Sequence, residues 1–295
     1  MLRNKKFLQK GVGLSKLINF RTVSNYLKKT RVIVNIFVCI YRKYDDLRKN
    51  MNAYSNCNNS LSVGDIIKFG NYYINDSKNK EPIEWRVLEV SNNKALLITK
   101  DAIDCKPYNN EWRYIKCRDI TWGEYSLRQW RDTTWGECSL RQWLNNEFIN
   151  QAFSKEEQNE IILTNISNPN NPYFEKWGGN NSWGGNNTKD KIFLLSIDEA
   201  LKYFKHSFIA RFFYGDCGAL EDRACKVTSY ARQQGAWTSD KKEYLGNCRW
   251  WLRSLGCCLL HCNAAVVYYD GSLGYTGYDV DDRDNAVRPA LFINL

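Results

Sequence analysis

The sequence predicts an α+β fold, on three observations. Residues 63–103 hold β-rich runs separated by polar turns, residues 134–160 carry two helix starts with an apolar stripe, and the last 45 or so residues return to short strands. "VGDIIKFGNYYI" from Val63 alternates apolar and polar residues. "IEWRVLEV" and "KALLITKDAI" then flank Ser91-Asn92-Asn93, a hairpin signal. Trp85, Val87 and Leu88 are assigned to the core.

A tandem duplication follows: residues 118–130 and 131–143 agree at eleven of thirteen positions. In one continuous helix, thirteen residues at about 100° each would turn the second copy by about 220°. Both copies cannot bury the same face, so one is a redundant insertion. The second is taken as the native element because it runs on into Leu140, Leu144 and Phe148 at i, i+4, i+8. Thr134 with Glu137 reads as its capping box, and Ser154 with Glu157 starts a second helix the same way. A shorter repeat, "WGGNN" at 177–181 and 183–187, reads as an exposed loop rather than a phosphate cradle, since no Lys-Ser/Thr follows it. Residues 191–196 read as a buried strand, 197–204 as a helix, and 228–236 as a short helix ended by Gly235. "RWWLRS" reads as an aromatic strand. Asp270-Gly271 marks a hairpin of type I′, and "AVRPALFINL" is the closing strand.

Residues 1–55 read as a separate basic extension, poorly ordered or partly helical. Residues 1–50 carry a net +11 of the chain's +10, which leaves −1 for the remaining 245. A nearly neutral body lacks the basic stripe that phosphate neutralisation demands, so nucleic acid is excluded as a partner. The apolar run Val32–Tyr41 is ten residues, short of the ~20 that span a bilayer. No transmembrane span is expected, and the compartment stays open between cytoplasm and cell surface or secretion. The eleven cysteines form no CxxC pair, so free buried thiols are expected rather than a disulfide framework.

After Arg253 the composition changes. Lys, Glu, Gln, Met and Trp supply 58 of the first 253 residues and none of the last 42. They are the five residue types that a codon ending in a pyrimidine cannot encode. Within that tail, turn and core residues alternate with odd clusters of Cys, Tyr, His, Asp and Leu. Tyr268, Tyr269, Tyr275 and Tyr278, set among Gly, Ser and Asn, are the residue types of recognition loops. Tyr268 and Tyr269 are adjacent, so in a regular strand at most one faces the core. Catalytic and metal chemistry find little footing. His206 and His261 stand outside any triad pattern. Asp279, Asp281, Asp282 and Asp284 fail the EF-hand pattern, with Arg283 fifth, Asp284 sixth and Ala290 twelfth. Cys257, Cys258, His261 and Cys262 crowd one short loop that cannot easily wrap a tetrahedral zinc.

"WWLRS", "DGS" and "AVRPALFINL", with "EPIEWRVLEV", "ALLITKDAID" and "TWGECSLRQWLNNEFINQAF", resemble an uncharacterised bacterial domain-of-unknown-function family from gut Firmicutes, over residues 60–295. That family is similar to C-type-lectin-like folds, shared with formylglycine-generating enzymes and with the variable proteins of diversity-generating retroelements. The resemblance implies a variable region at 254–288, rewritten through AAY codons, on a C-type-lectin-like or formylglycine-generating-enzyme-like domain. It implies ligand-binding positions at Cys257, Cys258, Leu259, Leu260, His261, Cys262, Asn263, Tyr268, Tyr269, Tyr275, Tyr278, Asp279, Asp281, Asp282, Arg283 and Asp284. Trp250, Trp251, Arg253, Gly271, Arg288 and Pro289 match its fixed scaffold. Leu255 stands where a proline is usual, and the Glu-Pro-Asn and Trp-Asn-Asp calcium–sugar motifs of true lectins are absent. The expectation is a protein- or glycan-binding protein without cofactor or enzymatic activity. The alternative is a formylglycine-generating-enzyme-like oxidase or another enzyme on the same fold.

Overall fold

A computed structural model describes residues 61–110, 134–175, 184–204, 222–256 and 263–295. Leu61–Leu295 forms one compact unit. The extension assigned to residues 1–55 and the first duplicated copy lie outside the described residues.

The architecture is mixed sheets with few helices. One five-stranded antiparallel sheet has the order β1-β2-β3-β12-β7, from β1 (Ile66–Tyr73), β2 (Lys80–Ser91), β3 (Lys94–Thr99), β12 (Ala290–Asn294) and β7 (Ile192–Phe193). The first and last strands of the unit therefore share a sheet, with Leu97 opposite Leu291. A second sheet has the order β10-β9-β8-β11-β4: β10 (Leu273–Asp279), β9 (Asn263–Val267), β8 (Trp250–Leu255), β11 (Ala286–Val287) and β4 (Asp104–Cys105). β5 (Thr164–Ile166) and β6 (Thr188–Asp190) form a small pair of their own. Both β3→β4 and β11→β12 pass from one five-stranded sheet to the other. Where they cross, the Thr99 N–H donates to the Pro289 carbonyl, and Arg288 Nε donates to the Thr99 carbonyl.

The β2–β3 hairpin closes through Asn92 and Asn93 at φ of 51° and 58°. Ser91 pairs with Lys94, so this is a two-residue turn with both central residues left-handed, the type I′ geometry that Asn tolerates. The 268–272 turn is different. The Gly271 N–H returns to the Tyr268 carbonyl and the Tyr268 N–H to that of Ser272, with only Gly271 at positive φ. This three-residue loop with a glycine bulge replaces the expected type I′ turn, because Asp270 keeps negative φ and instead accepts from the Ser272 N–H and hydroxyl.

The second duplicated copy does form the helix, but one turn later than its capping pattern suggests. Thr134 closes a turn through its carbonyl, which accepts from Glu137 and Cys138. The N-cap of α1 (Ser139–Trp143) is Cys138, whose sulfur accepts from the Arg141 N–H at 3.4 Å. A π-helical stretch (Leu144–Phe148) continues into α2 (Ile149–Ala152). The wider turn coincides with Asn145, whose amide donates to the Arg141 and Ile192 carbonyls and accepts from the Lys191 and Ile192 N–H groups. Leu140, Leu144 and Phe148 are all buried. Ser154 and Glu157 build a true capping box on α3 (Lys155–Glu160). α4 (Pro172–Glu175) is a single turn, α5 (Ile197–Tyr203) starts at a Ser196–Glu199 capping box, and α6 (Ser229–Gln233) ends before Gly235 at φ +108°. The strand expected over 191–196 shrinks to two paired residues, although the whole stretch from Ile192 is buried. In the second "WGGNN" copy Gly184 is buried rather than looped out. A Cβ there would lie 2.3 Å from the Pro169 carbonyl oxygen.

The core centres on four fully buried tryptophans: Trp85, Trp135, Trp250 and Trp251. Each indole N–H finds an acceptor: the carbonyls of Phe69, Arg223 and Lys106 for Trp85, Trp250 and Trp251, and the Asp190 carboxylate for Trp135. Arg253, 3% exposed, is one of the buried charges of this core, held by both oxygens of Glu199. Removing one partner of such a pair strands the other charge away from water. Glu199→Ala is expected to cost about 3–5 kcal/mol, read as a Tm lower by on the order of 10 °C in thermal denaturation. An unchanged Tm would show that the guanidinium is adequately solvated without its partner.

Candidate ligand-binding face

β10 is the edge strand of its sheet, and the chain arrives there through a hairpin and leaves through an acidic loop. Gly277 makes its shape. It sits at φ +77°, where the β9–β10 register shifts, and a Cβ would lie 2.1 Å from the Ala264 carbonyl oxygen. Only glycine fits there. The bulge separates what the tyrosines on either side touch.

On one side, Tyr278 meets Tyr268 edge to face with centroids 6.1 Å apart. Tyr268 lies over Gly274, where a Cβ would come within 2.8 Å of the ring. The Arg249 guanidinium sits 4.3 Å from the Tyr278 ring centroid and 5.0 Å from that of Trp237. Arg249 Nη2 also reaches Asp284 Oδ2 at 2.5 Å, and the Trp237 N–H donates to the Asp284 carbonyl. Tyr269 packs against Trp237 and Tyr244, each at 5.6 Å, and its hydroxyl takes a 2.6 Å hydrogen bond from Lys241 Nζ. This makes one continuous run of rings and cations: Tyr268, Tyr278, Arg249, Trp237, Tyr269, Tyr244 and Lys241.

On the other side, Tyr275 stacks on Tyr173 at 4.8 Å and 26°. Asn171, buried behind them, donates to the Leu255 and Tyr275 carbonyls at 2.8 and 2.9 Å. Asn263, half-buried, begins β9 at that end, where its carbonyl accepts from the Gly256 N–H.

The structure therefore gathers Tyr268, Tyr269, Tyr278 and Asp284 into one cluster and leaves Tyr275 and Asn263 with a different one. Tyr268, Tyr275 and Tyr278 each rest one side against the core while staying half-exposed. Asp279, Asp281 and Arg283 are exposed, and Asp282 is half-buried. Cys257, Cys258, Leu259, Leu260, His261 and Cys262 lie outside the described residues. Among the described residues no group of three His, Cys, Asp or Glu side chains is placed to hold a metal ion. The four described cysteines, Cys105, Cys138, Cys225 and Cys248, are buried and free. Among the described residues no helix is long and apolar enough to cross a membrane.

Trp237, Lys241, Tyr244 and Arg249 were missed in the sequence, because they precede the altered tail. The usable signal was an indole with no strand or helix face to pack on: Trp237 ends up 37% exposed.

A family model, the domain of unknown function DUF6273, matches residues 92–295. The chain belongs to that family. No curated protein matches the chain, and no solved structure does. The DUF6273 match begins inside the β2–β3 turn, so β1 and β2 precede it although β2 pairs with β3 from Trp85 to Ser91. All of the ring–cation cluster falls within DUF6273.

Burial, and secondarily the charge of Asp284, raise the Asp282 carboxyl above its usual value, against the opposing pull of Arg249. A raised carboxyl means that the folded state resists ionisation. The penalty is absent below the unfolded value and complete above the folded one. Asp282→Asn should therefore be more stable than the parent at neutral pH, with the difference closing as the pH falls through about 4. Paired thermal melts across pH 3–7 test this, and a gap that widens toward acid would overturn it.

Proposed function

We propose that this protein is a recognition protein: a C-type-lectin-like domain whose C-terminal face is diversified to bind a protein or glycan, without catalysis. It would be the target protein of a diversity-generating retroelement. The observation that carries the reading is the loss of Lys, Glu, Gln, Met and Trp after Arg253. Strand-rich composition explains missing Lys, Glu and Gln, but a strand-rich tail has no reason to exclude Trp. Codon-level rewriting excludes all five together.

The geometry supports the same reading. The tyrosines of the tail supply broad amphipathic contact area at low entropic cost, and they sit beside fixed aromatic and cationic residues. Four members of the cluster, Trp237, Lys241, Tyr244 and Arg249, precede the altered tail and would stay constant while their neighbours change. That division suggests a constant anchor beside a variable reader.

The test is a displayed library with AAY-derived substitutions at Asn263, Tyr268, Tyr269, Tyr275, Tyr278, Asp279 and Asp281–Asp284, selected on panels of purified proteins and glycans. Most members are expected to keep a Tm within a few degrees of the parent, with distinct binders emerging on distinct targets. General unfolding of the library would end the proposal. In the coding DNA, a near-copy of the final segment with adenines at the variable codons, beside a reverse transcriptase, is the expected accompaniment.

In any binder recovered, Trp237→Ala should weaken affinity at least about tenfold whatever the target, because a partly exposed Trp at the centre of a contact is the usual hot spot. Titration by calorimetry reads the effect. Equal affinity in several unrelated binders would remove Trp237 from the face.

A further inference from the structure

Cys225 and Cys248 face each other across a short antiparallel pairing. Lys226 is the bridge partner of Asn247, which places Cys225 directly opposite Cys248 one step along. The Cys248 N–H donates to the Cys225 carbonyl at 2.9 Å, and the Cys248 sulfur approaches that oxygen at 3.4 Å. Residues opposite each other in an antiparallel pair have Cα atoms about 4.5–5.5 Å apart. That separation lies within the roughly 4.4–6.8 Å that disulfides span. Both side chains are buried; the Cys225 thiol donates to the Lys226 carbonyl at 3.1 Å and the Cys248 thiol to the Cys225 carbonyl.

We propose that Cys225 and Cys248 are an intramolecular disulfide pair, oxidised by a low-molecular-weight disulfide during folding, whose bond closes the loop of residues 226–247. One protein thiolate attacks a sulfur of the small disulfide and expels one thiol, leaving a mixed disulfide. The second protein thiolate attacks the protein-bound sulfur of that bond and expels the other thiol. The two cysteines lose two hydrogens and two electrons, and the small disulfide leaves as two thiols. The exchange belongs to folding because neither sulfur is open to solvent in the folded protein, and Cys248 is further held protonated by Cys225 and by burial.

The closed loop has a specific content. It holds α6, Trp237, Lys241 and Tyr244, and the 247–248 segment also bridges Thr238, one residue after Trp237. The bond would therefore tie the segment that carries Trp237, Lys241 and Tyr244 to the stretch leading into β8. Its formation depends on the cysteine geometry alone and not on whether that face binds anything.

The test refolds the full chain from denaturant with oxidised and reduced glutathione, and in parallel with a strong reductant. Free thiols are then alkylated, and the protein is digested without reduction for mass spectrometry. The expected result is a peptide pair linked through Cys225 and Cys248, with Tm raised on the order of 5–10 °C over the reduced sample. The same oxidation should leave the Tm of C225A/C248A unmoved. Recovery of Cys225 and Cys248 as separately alkylated residues, or linked to other cysteines, overturns the pairing. A Tm gain that persists in C225A/C248A overturns the loop closure. Should the double variant not fold, the peptide map of the unaltered chain still decides.

Discussion

The buried guanidinium of Arg253 sets the frame on which the candidate face is built. Taking that charge out of water costs several kcal/mol, which only a full set of acceptors can offset. The set is full. Nε reaches the Ser167 carbonyl and the Asn168 side chain, Nη1 the Leu194 carbonyl and Glu199, and Nη2 Ser167 and Glu199 again. These acceptors come from the 167–168 loop, the segment after β7 and the first turn of α5. Glu199 is at the same time the capping-box residue of α5, so the ion pair and the helix start are one structure. Arg253 is also the last residue before the composition of the chain changes. A strand fixed by six contacts of this kind can carry a tail of altered side chains without shifting its own position.

Arg288 solves the same problem another way. Its Nε and Nη2 donate to the Thr99 and Lys100 carbonyls, while Nη1 has no partner. The guanidinium instead lies 5.0 Å from the Trp250 ring and 5.4 Å from Phe204, whose π faces offset part of the desolvation. The two arginines thus hold opposite ends of the altered tail. Between them β9 is buried over Ala264–Val267, and the bulge at Gly277 is dictated by backbone contact rather than by side chains.

What the sequence made legible follows from how local each signal is. Asn92-Asn93, the Ser154–Glu157 box, the Leu140–Leu144–Phe148 stripe and the aromatic strand at Trp250 all report interactions within a few residues, and each formed. Thr134 misled because its turn is closed by the backbone, and a thiol, an unusual cap, starts the helix. Asp270-Gly271 misled because two hydrogen bonds to Ser272 hold Asp270 in the ordinary φ region. The site was half legible. The tail tyrosines could be picked out by composition, whereas Arg249 and Trp237 join them only because Asp284 folds back to take a hydrogen bond from each. No pattern along the chain encodes that meeting.

The half-burial of those tyrosines decides how freely the face can vary. A fully exposed residue could change at no cost but would anchor little, and a buried one would cost about 3–5 kcal/mol on truncation. A ring resting one side on the core lies between, at roughly 1–2 kcal/mol per replacement. Against a stability of about 5–15 kcal/mol, the scaffold tolerates a few such losses together but not all of them. Variation is then cheapest at Asp281 and Arg283, which are exposed, and dearest at Tyr268, whose ring covers Gly274. A diversified surface on this frame should therefore be graded, with its most conservative position at the hairpin and its freest in the acidic loop.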